Sequence, residues 1–150
     1  MGDKQVSASR VIAAPQERIF AIIADPSRHH EFDGSGSVRS SLDGAPERLF
    51  LGAEFGMDMR IGVPYRITNE VVEFEEDRRI GWRHKGGHVW RYELEPVEGG
   101  TRVTETFDWT NARIGVLYPL LRVPSRNLKA IEQTLVRLAD LLEGGGSATA

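Results

Sequence analysis

A glutamate stands among hydrophobic residues in the last alternating segment of this chain. In Thr101–Trp109, Glu105 falls between Val103 and Phe107, on the side of a predicted strand that carries the apolar residues. A carboxyl group buried there is costly, so we expect it to have a raised pKa or a partner. Tyr92, on the preceding segment, is the nearest inward polar group. Glu105 and Tyr92 are therefore candidates for a general acid and base, or for a polar anchor that holds a ligand.

Three neighbouring segments alternate with period two, as strands with one buried face do: Arg79–His84, His88–Leu94 and Thr101–Trp109. The glycines between them are typical of hairpin turns. Folding the chain at those turns places Trp82 opposite Trp90, and Trp90 opposite Trp109. The three tryptophans of the chain then form one row across the predicted sheet.

The same register decides what Glu105 meets across the sheet. Leu94 lies opposite Glu105, and the strand from Leu94 back to His88 spans roughly 20 Å at about 3.3 Å per residue. This register therefore excludes a dyad of Glu105 with His88. A loop formed by Val97–Gly100 is the alternative, and it would shift the pairing, break the row of tryptophans and turn Glu105 outward.

Two histidines, His84 and His88, flank the Lys85–Gly87 turn and face the same side of the predicted sheet. At the mouth of a cavity they would orient a ligand or act as acid and base near neutral pH, whereas the alternative is a pair of solvated turn residues. A metal site there lacks a third ligand, so we predict none. A second group of polar side chains lies on a predicted short helix: His29, His30, Glu31 and Asp33. These side chains point in several directions, so we expect them to be exposed to solvent.

Composition narrows the classes of function. The chain has 150 residues, a net charge of −3 and no cysteine, which excludes disulfides and thiol nucleophiles. No basic stripe supports nucleic-acid binding, and no apolar run approaches the length of a membrane span. No phosphate loop or cofactor motif is present in the sequence. These features predict a single domain of a cytoplasmic protein that uses no cofactor.

Further elements must position the candidate side chains. A first strand, Val6–Ile12, is followed by a helix that begins at Pro15 and by a second short helix, Ser27–Phe32. An antiparallel meander of six strands then runs from Val38 to Trp109. The Ala53–Ile61 part of that meander alternates well, with its phenylalanine and methionines on one face.

The last third of the chain changes to helical spacing. Ser125 is a suitable N-cap, and the apolar positions that follow step by three and four residues: Leu128, Ile131, Leu135, Leu138 and Leu142. The predicted fold is α+β, a curved seven-stranded antiparallel sheet wrapped around this long C-terminal helix. We expect residues 1–5 to be disordered, residues 6–143 to form the domain and residues 144–150 to be a flexible tail.

This order of elements and four blocks of sequence resemble the START-like superfamily, also called SRPBCC or helix-grip proteins. The most similar members are small bacterial polyketide cyclase/dehydrase-like and lipid-transport-like proteins. The matching blocks are the final amphipathic helix and three stretches: VIAAPQERIFAIIADPSRHHEFDGSGSVR, TNEVVEFEEDRRIGWRH and GGTRVTETFDW. The resemblance covers residues 6–143, and Phe32 stands where many members carry a tryptophan. The fold hosts binders, cyclases, oxygenase subunits and chaperone partners, so it does not by itself define a function.

The resemblance implies an apolar cavity between the sheet and the C-terminal helix. Its expected lining is Phe55, Met57, Met59, Asn69, Trp82, His84, His88, Trp90, Phe107, Trp109, Tyr118 and Leu121. The methionines and Phe55 are also consistent with plain core packing, although flexible thioethers suit a wall that accepts several ligand shapes.

Three functions are compatible with this fold. The first is binding of a hydrophobic or aromatic small molecule, such as a lipid or polyketide, for transport, sequestration or sensing. The alternative is an enzyme, a polyketide aromatase/cyclase or dehydratase, in which Glu105, Tyr92 or the mouth histidines move protons. The third is a protein-binding module whose cavity is filled by its own tryptophans. The expected partner is a hydrophobic small molecule, with no nucleic acid and no membrane span, and the chain is a monomer or a homodimer.

Overall fold

The computed structural model describes residues 4–34, 38–41, 46–61, 63–84, 87–110 and 123–144. These ranges contain seven strands: β1 (Gln5–Ile12), β2 (Val38–Ser41), β3 (Glu54–Ile61), β4 (Val63–Glu75), β5 (Arg79–His84), β6 (Val89–Val97) and β7 (Gly100–Asp108). They form one antiparallel sheet in the order β1-β7-β6-β5-β4-β3-β2. Each strand from β2 to β7 pairs with the next in the chain, and β1 lies at the edge beside β7.

The helices of the described ranges are α1 (Gln16–Ile23), α2 (His29–Phe32) and α3 (Val123–Ala139). A 3₁₀ turn at Pro26–Arg28 joins α1 to α2, and α3 continues into a π-helical turn at Asp140–Gly144. None of these helices has the length and apolar content that a membrane span requires. The predicted α+β class, with an antiparallel sheet and a long C-terminal helix, is confirmed.

The short helices begin and end where the sequence favours it. Pro15 takes the N-cap position of α1 in an extended conformation, and α1 buries an apolar stripe of Ile19, Phe20, Ile22 and Ile23. The carboxylate of Asp25 then accepts a hydrogen bond from Ser27 N at 3.0 Å, which starts the 3₁₀ turn. The chain therefore reverses quickly after α1 and brings α2 onto the sheet.

The long helix α3 packs one face against β1 and β7. Ile131, Leu135 and Leu138 are buried there, as the three-and-four spacing predicts. The predicted N-cap at Ser125 is wrong, because α3 already includes Val123 and Pro124. Proline is tolerated in the first turn of a helix, where its missing N–H breaks no hydrogen bond within the helix.

The hairpin between β6 and β7 turns one residue earlier than the predicted row of tryptophans requires. Val97 pairs with Gly100, so Glu98 and Gly99 form the turn, and Gly99 has a φ of +89° that favours glycine. Trp82 lies opposite Trp90 as predicted, but Trp90 lies opposite Phe107 and not opposite Trp109.

This correction changes the partner of Glu105 but not its face. Leu94 pairs with Val103, and Tyr92 pairs with Glu105, which is a shift of two residues from the predicted register. A shift of two residues returns every side chain to the same side of a strand, because side chains alternate with period two. The expected outward turn of Glu105 under the Val97–Gly100 loop is therefore wrong.

The first strand starts earlier than expected. β1 begins at Gln5, which pairs with Asp108, and Lys4 O accepts a hydrogen bond from Trp109 N at 2.8 Å. The predicted disorder of residues 1–5 therefore does not extend to Lys4 and Gln5. The predicted flexible tail lies outside the described residues, except for Gly144.

The loop after α2 lies directly against α3 at Gly34. Gly34 N donates a hydrogen bond to Thr134 Oγ1 at 2.8 Å. A Cβ atom at Gly34 would lie 2.3 Å from Ala130 O and 2.4 Å from Thr134 N, so the backbone of α3 occupies that space. The absence of a side chain is what lets α2 dock on α3.

We therefore predict that Gly34→Ala lowers the free energy of unfolding by about 1–3 kcal/mol, the usual cost of overpacking a well-packed contact. Urea denaturation followed by circular dichroism measures this loss. Gly81→Ala is the control, since a Cβ there meets its nearest atoms at 3.4 Å and the stability should change less. Equal effects of the two substitutions would contradict the close contact.

Candidate functional site

The central pair of the site is Tyr92 on β6 and Glu105 on β7. The two residues lie directly opposite each other in the sheet, and Ala8 on β1 faces Glu105 from the other side. Directly opposed side chains on one face have Cβ atoms about 4.5–5.5 Å apart. Both are almost fully buried, with Glu105 4% and Tyr92 3% exposed. The side chains proposed from sequence as acid and base are thus adjacent, in a setting that water does not reach.

Burial controls the protonation of this pair. It raises the pKa of Glu105 well above its ordinary value; the hydrogen bond from Tyr92 partly opposes that shift, and the charge of Asp33 adds to it. Burial, the charge of Glu105 and their hydrogen bond likewise raise the pKa of Tyr92. The protonated, uncharged carboxyl group is therefore the favoured form. Among the described residues, no group forms a hydrogen bond with Glu105 Oε1.

Aromatic rings pack beside the pair and form an inner aromatic cluster: His29, Phe32, Phe55, Trp82 and Tyr92. His29 stacks on Trp82 with ring centroids 4.9 Å apart and planes inclined by 20°. Phe32 meets Tyr92 edge to face at 6.3 Å, and Phe55 meets Trp82 in the same way at 5.5 Å. Phe32 is buried, and it stands at the position where many members of the resembling superfamily carry a tryptophan.

The expectation that the polar group around His29 is exposed to solvent is wrong for His29 itself. Its ring is buried, and the pKa is lowered to about 4, chiefly by burial. The neutral ring donates from Nε2 to Ile23 O at 2.8 Å. His30 is exposed and Glu31 forms an ion pair with Arg28, so the expectation holds for those two residues. In the described part of the chain, no group of three or more potential ligands could hold a metal ion.

The sequence carried a signal for the burial of His29 that the charge pattern concealed. His29 and Phe32 are three residues apart, so they share one face of the short helix α2. That face rests on the sheet, and both rings contact aromatic residues of other elements. His30 is exposed and Glu31 pairs with Arg28, so these two polar residues lie away from the sheet.

A second aromatic group lies at the other end of the inner face: His84, His88, Trp90, Phe107 and Trp109. The rings of His84 and His88 stack at 4.6 Å and 8°, and His88 also meets Phe107 at 5.1 Å. Burial and the neighbouring His84 lower the pKa of His88 to about 4. The alternative of two separately solvated turn histidines is therefore wrong, and both rings are uncharged at neutral pH.

The observed register also shortens the distance from Glu105 to His88. Tyr92, the partner of Glu105, is four residues from His88 along β6, which is roughly 13 Å. The predicted separation of roughly 20 Å was too long because it used Leu94 as the partner. A direct dyad of Glu105 with His88 is still excluded.

The remaining candidates divide between buried and undescribed positions. Phe55 and Met57 are buried on β3, and Asn69 on β4 is buried between Phe55 and His84 in the register. The side chain of Met59 lies outside the described residues, as do Tyr118 and Leu121 entirely.

The outer face of the sheet carries a separate polar groove of about 830 Å³. Outward-facing charged residues supply much of its lining: Glu54, Glu70, Glu73, Arg83, Arg91 and Asp108. Arg91 donates to both carboxylate oxygens of Glu73, at 2.6 and 2.7 Å, and these hydrogen bonds raise the pKa of Arg91. The groove is on the side of the sheet opposite Tyr92 and Glu105, and several of its charged residues pair with one another.

Solved structures of other proteins share this architecture. The protein NE0264 from Nitrosomonas europaea matches with a TM-score of 0.75 and 17% identity, with 98% of this chain and 99% of that chain covered. The AHSA1-like protein from Aeromonas hydrophila matches with a TM-score of 0.71 and 19% identity, with 95% and 94% covered. At such identities the likeness concerns the fold alone.

A family model places the chain within the START-like, or SRPBCC, superfamily. The family model for polyketide cyclase/dehydrase and lipid transport matches residues 3–143, so the chain belongs to this family of hydrophobic-ligand-binding folds. The resemblance seen in the sequence is thereby confirmed. The uncharacterized protein Rv0088 of Mycobacterium tuberculosis is 41% identical over 145 residues, which are 93% of this chain. The chain spans 64% of the length of that relative.

The buried histidine predicts how stability depends on pH. The pKa of His29 falls from 6.5 to about 4 on folding, so between these values the unfolded chain binds more protons than the native one. The free energy of unfolding therefore decreases as the pH falls, by about 2 kcal/mol from this residue between pH 7 and pH 5.

Urea denaturation at several pH values measures this slope. His29→Gln should flatten it in part, since His88 contributes in the same direction, and the exposed His30→Gln should leave it unchanged. A slope that His29→Gln does not alter would contradict the burial of a neutral ring.

The unpaired carboxyl oxygen of Glu105 predicts that the polar pair Glu105 and Tyr92 lowers the stability of the folded protein. Glu105→Leu alone leaves the Tyr92 hydroxyl buried without a partner, which costs about 1–3 kcal/mol. In the double variant Glu105→Leu/Tyr92→Phe both polar partners are gone, so we expect a stability equal to or above that of the wild type. Thermal unfolding of the three proteins tests this order. A double variant less stable than the single one would refute it.

Proposed function

We propose that this chain binds a hydrophobic or aromatic small molecule, such as a lipid or polyketide, between the sheet and α3. In this proposal Tyr92 and Glu105 form the polar anchor of an otherwise aromatic site. The observation that carries it is the buried Glu105 carboxyl with Oε1 unpartnered among the described residues. A residue needed only for packing would be apolar there, because a buried unsatisfied group costs about 1–3 kcal/mol.

The family supports a ligand as the missing partner. The matched family is described by polyketide cyclases, dehydrases and lipid transport, all of which concern molecules with long apolar parts. The inner aromatic cluster offers the corresponding surface, because aromatic rings bury large apolar areas with few rotatable bonds. A polar group at one end of such a surface fixes the orientation of a ligand.

The enzyme alternative is favoured by one specific observation. Tyr92 and Glu105 form a hydrogen-bonded pair of protonatable groups with raised pKa values, away from water. Such a pair can give a proton to an enclosed polyketone and take one from it, as cyclisation or dehydration requires. Binding and catalysis therefore use the same two residues and differ in whether the bound molecule changes.

Native mass spectrometry of the protein purified from its own host tests the binding proposal. We expect a noncovalent hydrophobic adduct on the wild-type protein. Its occupancy should fall at least about fivefold in Glu105→Gln, which corresponds to about 1 kcal/mol for one anchoring hydrogen bond. Glu95→Gln is the matched control, since Glu95 lies on the outer side of β6, paired with Arg102, and should keep the wild-type occupancy.

A fluorescent probe gives an independent test. N-phenyl-1-naphthylamine, an uncharged apolar dye, should bind saturably and quench the emission of the buried tryptophans as it does so. Absence of both the adduct and saturable dye binding would overturn the proposal. A released molecule whose mass changes during incubation with the protein, and does not change with Tyr92→Phe, would identify the enzyme alternative.

A further inference from the structure

We propose that the free edge of β1 is a self-association surface, along which two copies of this chain pair antiparallel and join their sheets into one. The surface lies outside the ligand site, so the proposal does not depend on the binding function proposed above. The partner is a second copy of the chain, and the register places Ala8 opposite Ala8 of that copy.

The edge of β1 that faces away from β7 carries unpaired backbone groups. Lys4 O accepts a hydrogen bond from Trp109 N, so the Lys4 carbonyl group points toward β7. At the other end of the strand, Ile12 O lies beside Gly100 of β7 and points the same way. Because backbone groups alternate in direction along an antiparallel strand, the N–H and C=O groups of four residues face the free edge: Gln5, Ser7, Ser9 and Val11. Among the described residues, none forms a hydrogen bond with these groups, and the four side chains are exposed.

The two edges of the sheet differ in how well they are protected against pairing. Short strands, bulges, prolines and charged side chains are the usual protection of a sheet edge. The strand β2, at the other edge, has four residues and a register shift between Val38 and Ser40. In contrast, β1 has eight residues and pairs with β7 without a register shift. Within Gln5–Ile12, Arg10 is the single charged residue and proline is absent, so β1 lacks most of this protection.

One antiparallel register joins every free backbone group of the two edges. With Ala8 opposite Ala8 of the second copy, Ser7 lies opposite Ser9 of that copy, and Gln5 lies opposite Val11. Each of these opposed pairs can exchange two backbone hydrogen bonds, because both members direct their N–H and C=O groups to the shared edge. The two-fold symmetry of the dimer makes every such contact twice. The strand is therefore complementary to itself in this register.

Charge favours this register over one centred on Ser7. In the register centred on Ala8, Arg10 lies opposite Val6 of the second copy, with no like charge facing it. Centring the pairing on Ser7 would place Arg10 opposite Lys4 of the second copy. Like charges directly opposite each other on a sheet are destabilising. That alternative is therefore disfavoured.

A register centred on Ser9 would leave part of the strand unpaired. It would place Gln5 opposite Ala13 of the second copy, where β1 has already ended. Ala13 N already donates a hydrogen bond to Glu143 Oε2 at 2.7 Å, so it is not available to Gln5. The register centred on Ala8 is thus the one that pairs the whole strand.

This pairing would bring the two ligand sites onto one face of a continuous sheet. Ala8 lies opposite Glu105 of its own chain, so the two glutamates and the two alanines would occupy four neighbouring strands. Neighbouring strands lie about 4.8 Å apart, which places the two Glu105 positions about 14 Å from each other.

Sedimentation velocity of the full chain, from low micromolar to millimolar concentration, tests this proposal. We expect a reversible shift from monomer to dimer. Ser9→Pro should raise the dissociation constant at least about tenfold, because it removes one donor from the edge of each copy. Ser9→Ala is the matched control, since it keeps the backbone N–H and should dimerise as the wild type does. The N–H of Ser9 faces away from β7, so both variants should keep the circular dichroism of the wild type.

Charged side chains test the register. Ser7→Lys/Ser9→Lys places lysines opposite each other in the dimer, and Ser7→Glu/Ser9→Glu does the same with glutamates, so each double variant should dimerise at least about fivefold more weakly. Mixing the two double variants places lysine opposite glutamate and should restore association as a heterodimer. Should Ser9→Pro lose the circular dichroism of the folded protein, these variants carry the test.

The outcomes decide between β1 and other surfaces. A chain that stays monomeric at millimolar concentration overturns the proposal, as it would if the edge receives a strand of a different protein. A dimer that persists unchanged in Ser9→Pro and in both charged variants uses another surface, which also overturns it. Charged variants that do not associate on mixing overturn the register centred on Ala8.

Discussion

The desolvation of one carboxyl group is the constraint around which the inner face of this sheet is arranged. Glu105 lies on the central part of β7, where neighbouring strands and the rings beside Tyr92 leave water no access. A group in that position cannot be satisfied by solvent, so its chemistry depends on the few side chains within reach. Tyr92 supplies one hydrogen bond and the charge of Asp33 raises the pKa of the carboxyl group further. Oε1 has no hydrogen-bond partner among the described residues.

The short helix α2 connects this chemistry to the rest of the fold. Its His29 bonds the end of α1 and stacks on β5, and the loop that follows it bonds α3 through Gly34. These contacts come from three different elements, and each is specific in geometry. The packing of α1, α3 and the sheet therefore holds the backbone on both sides of Asp33, although α2 itself is only one turn long.

Local patterns in the sequence were sufficient to predict the order of the elements, the inward orientation of Glu105 and the pairing of Trp82 with Trp90. They were not sufficient for the register of β7, because a two-residue turn can form at Gly99 and Gly100 or one residue earlier, and both keep Glu105 on the same face. His29 was missed for another reason. Its three-residue spacing from Phe32 indicates a shared face, but the charged neighbours favoured a solvated helix, and the ring partners Phe55 and Trp82 lie far away in the sequence.

The two-residue turn at Glu98 and Gly99 has a consequence for how relatives of this chain can vary. A single-residue insertion that shifts the pairing by one residue would turn Glu105 toward the outer face of the sheet. An insertion that lengthens the loop instead leaves the pairing of β6 with β7 unchanged. Changes of two residues would preserve the facing but give Glu105 a different neighbour. A homologous sequence that keeps a two-residue turn at this hairpin, together with a tyrosine and a glutamate at these two positions, is therefore expected to keep the Tyr–Glu pair.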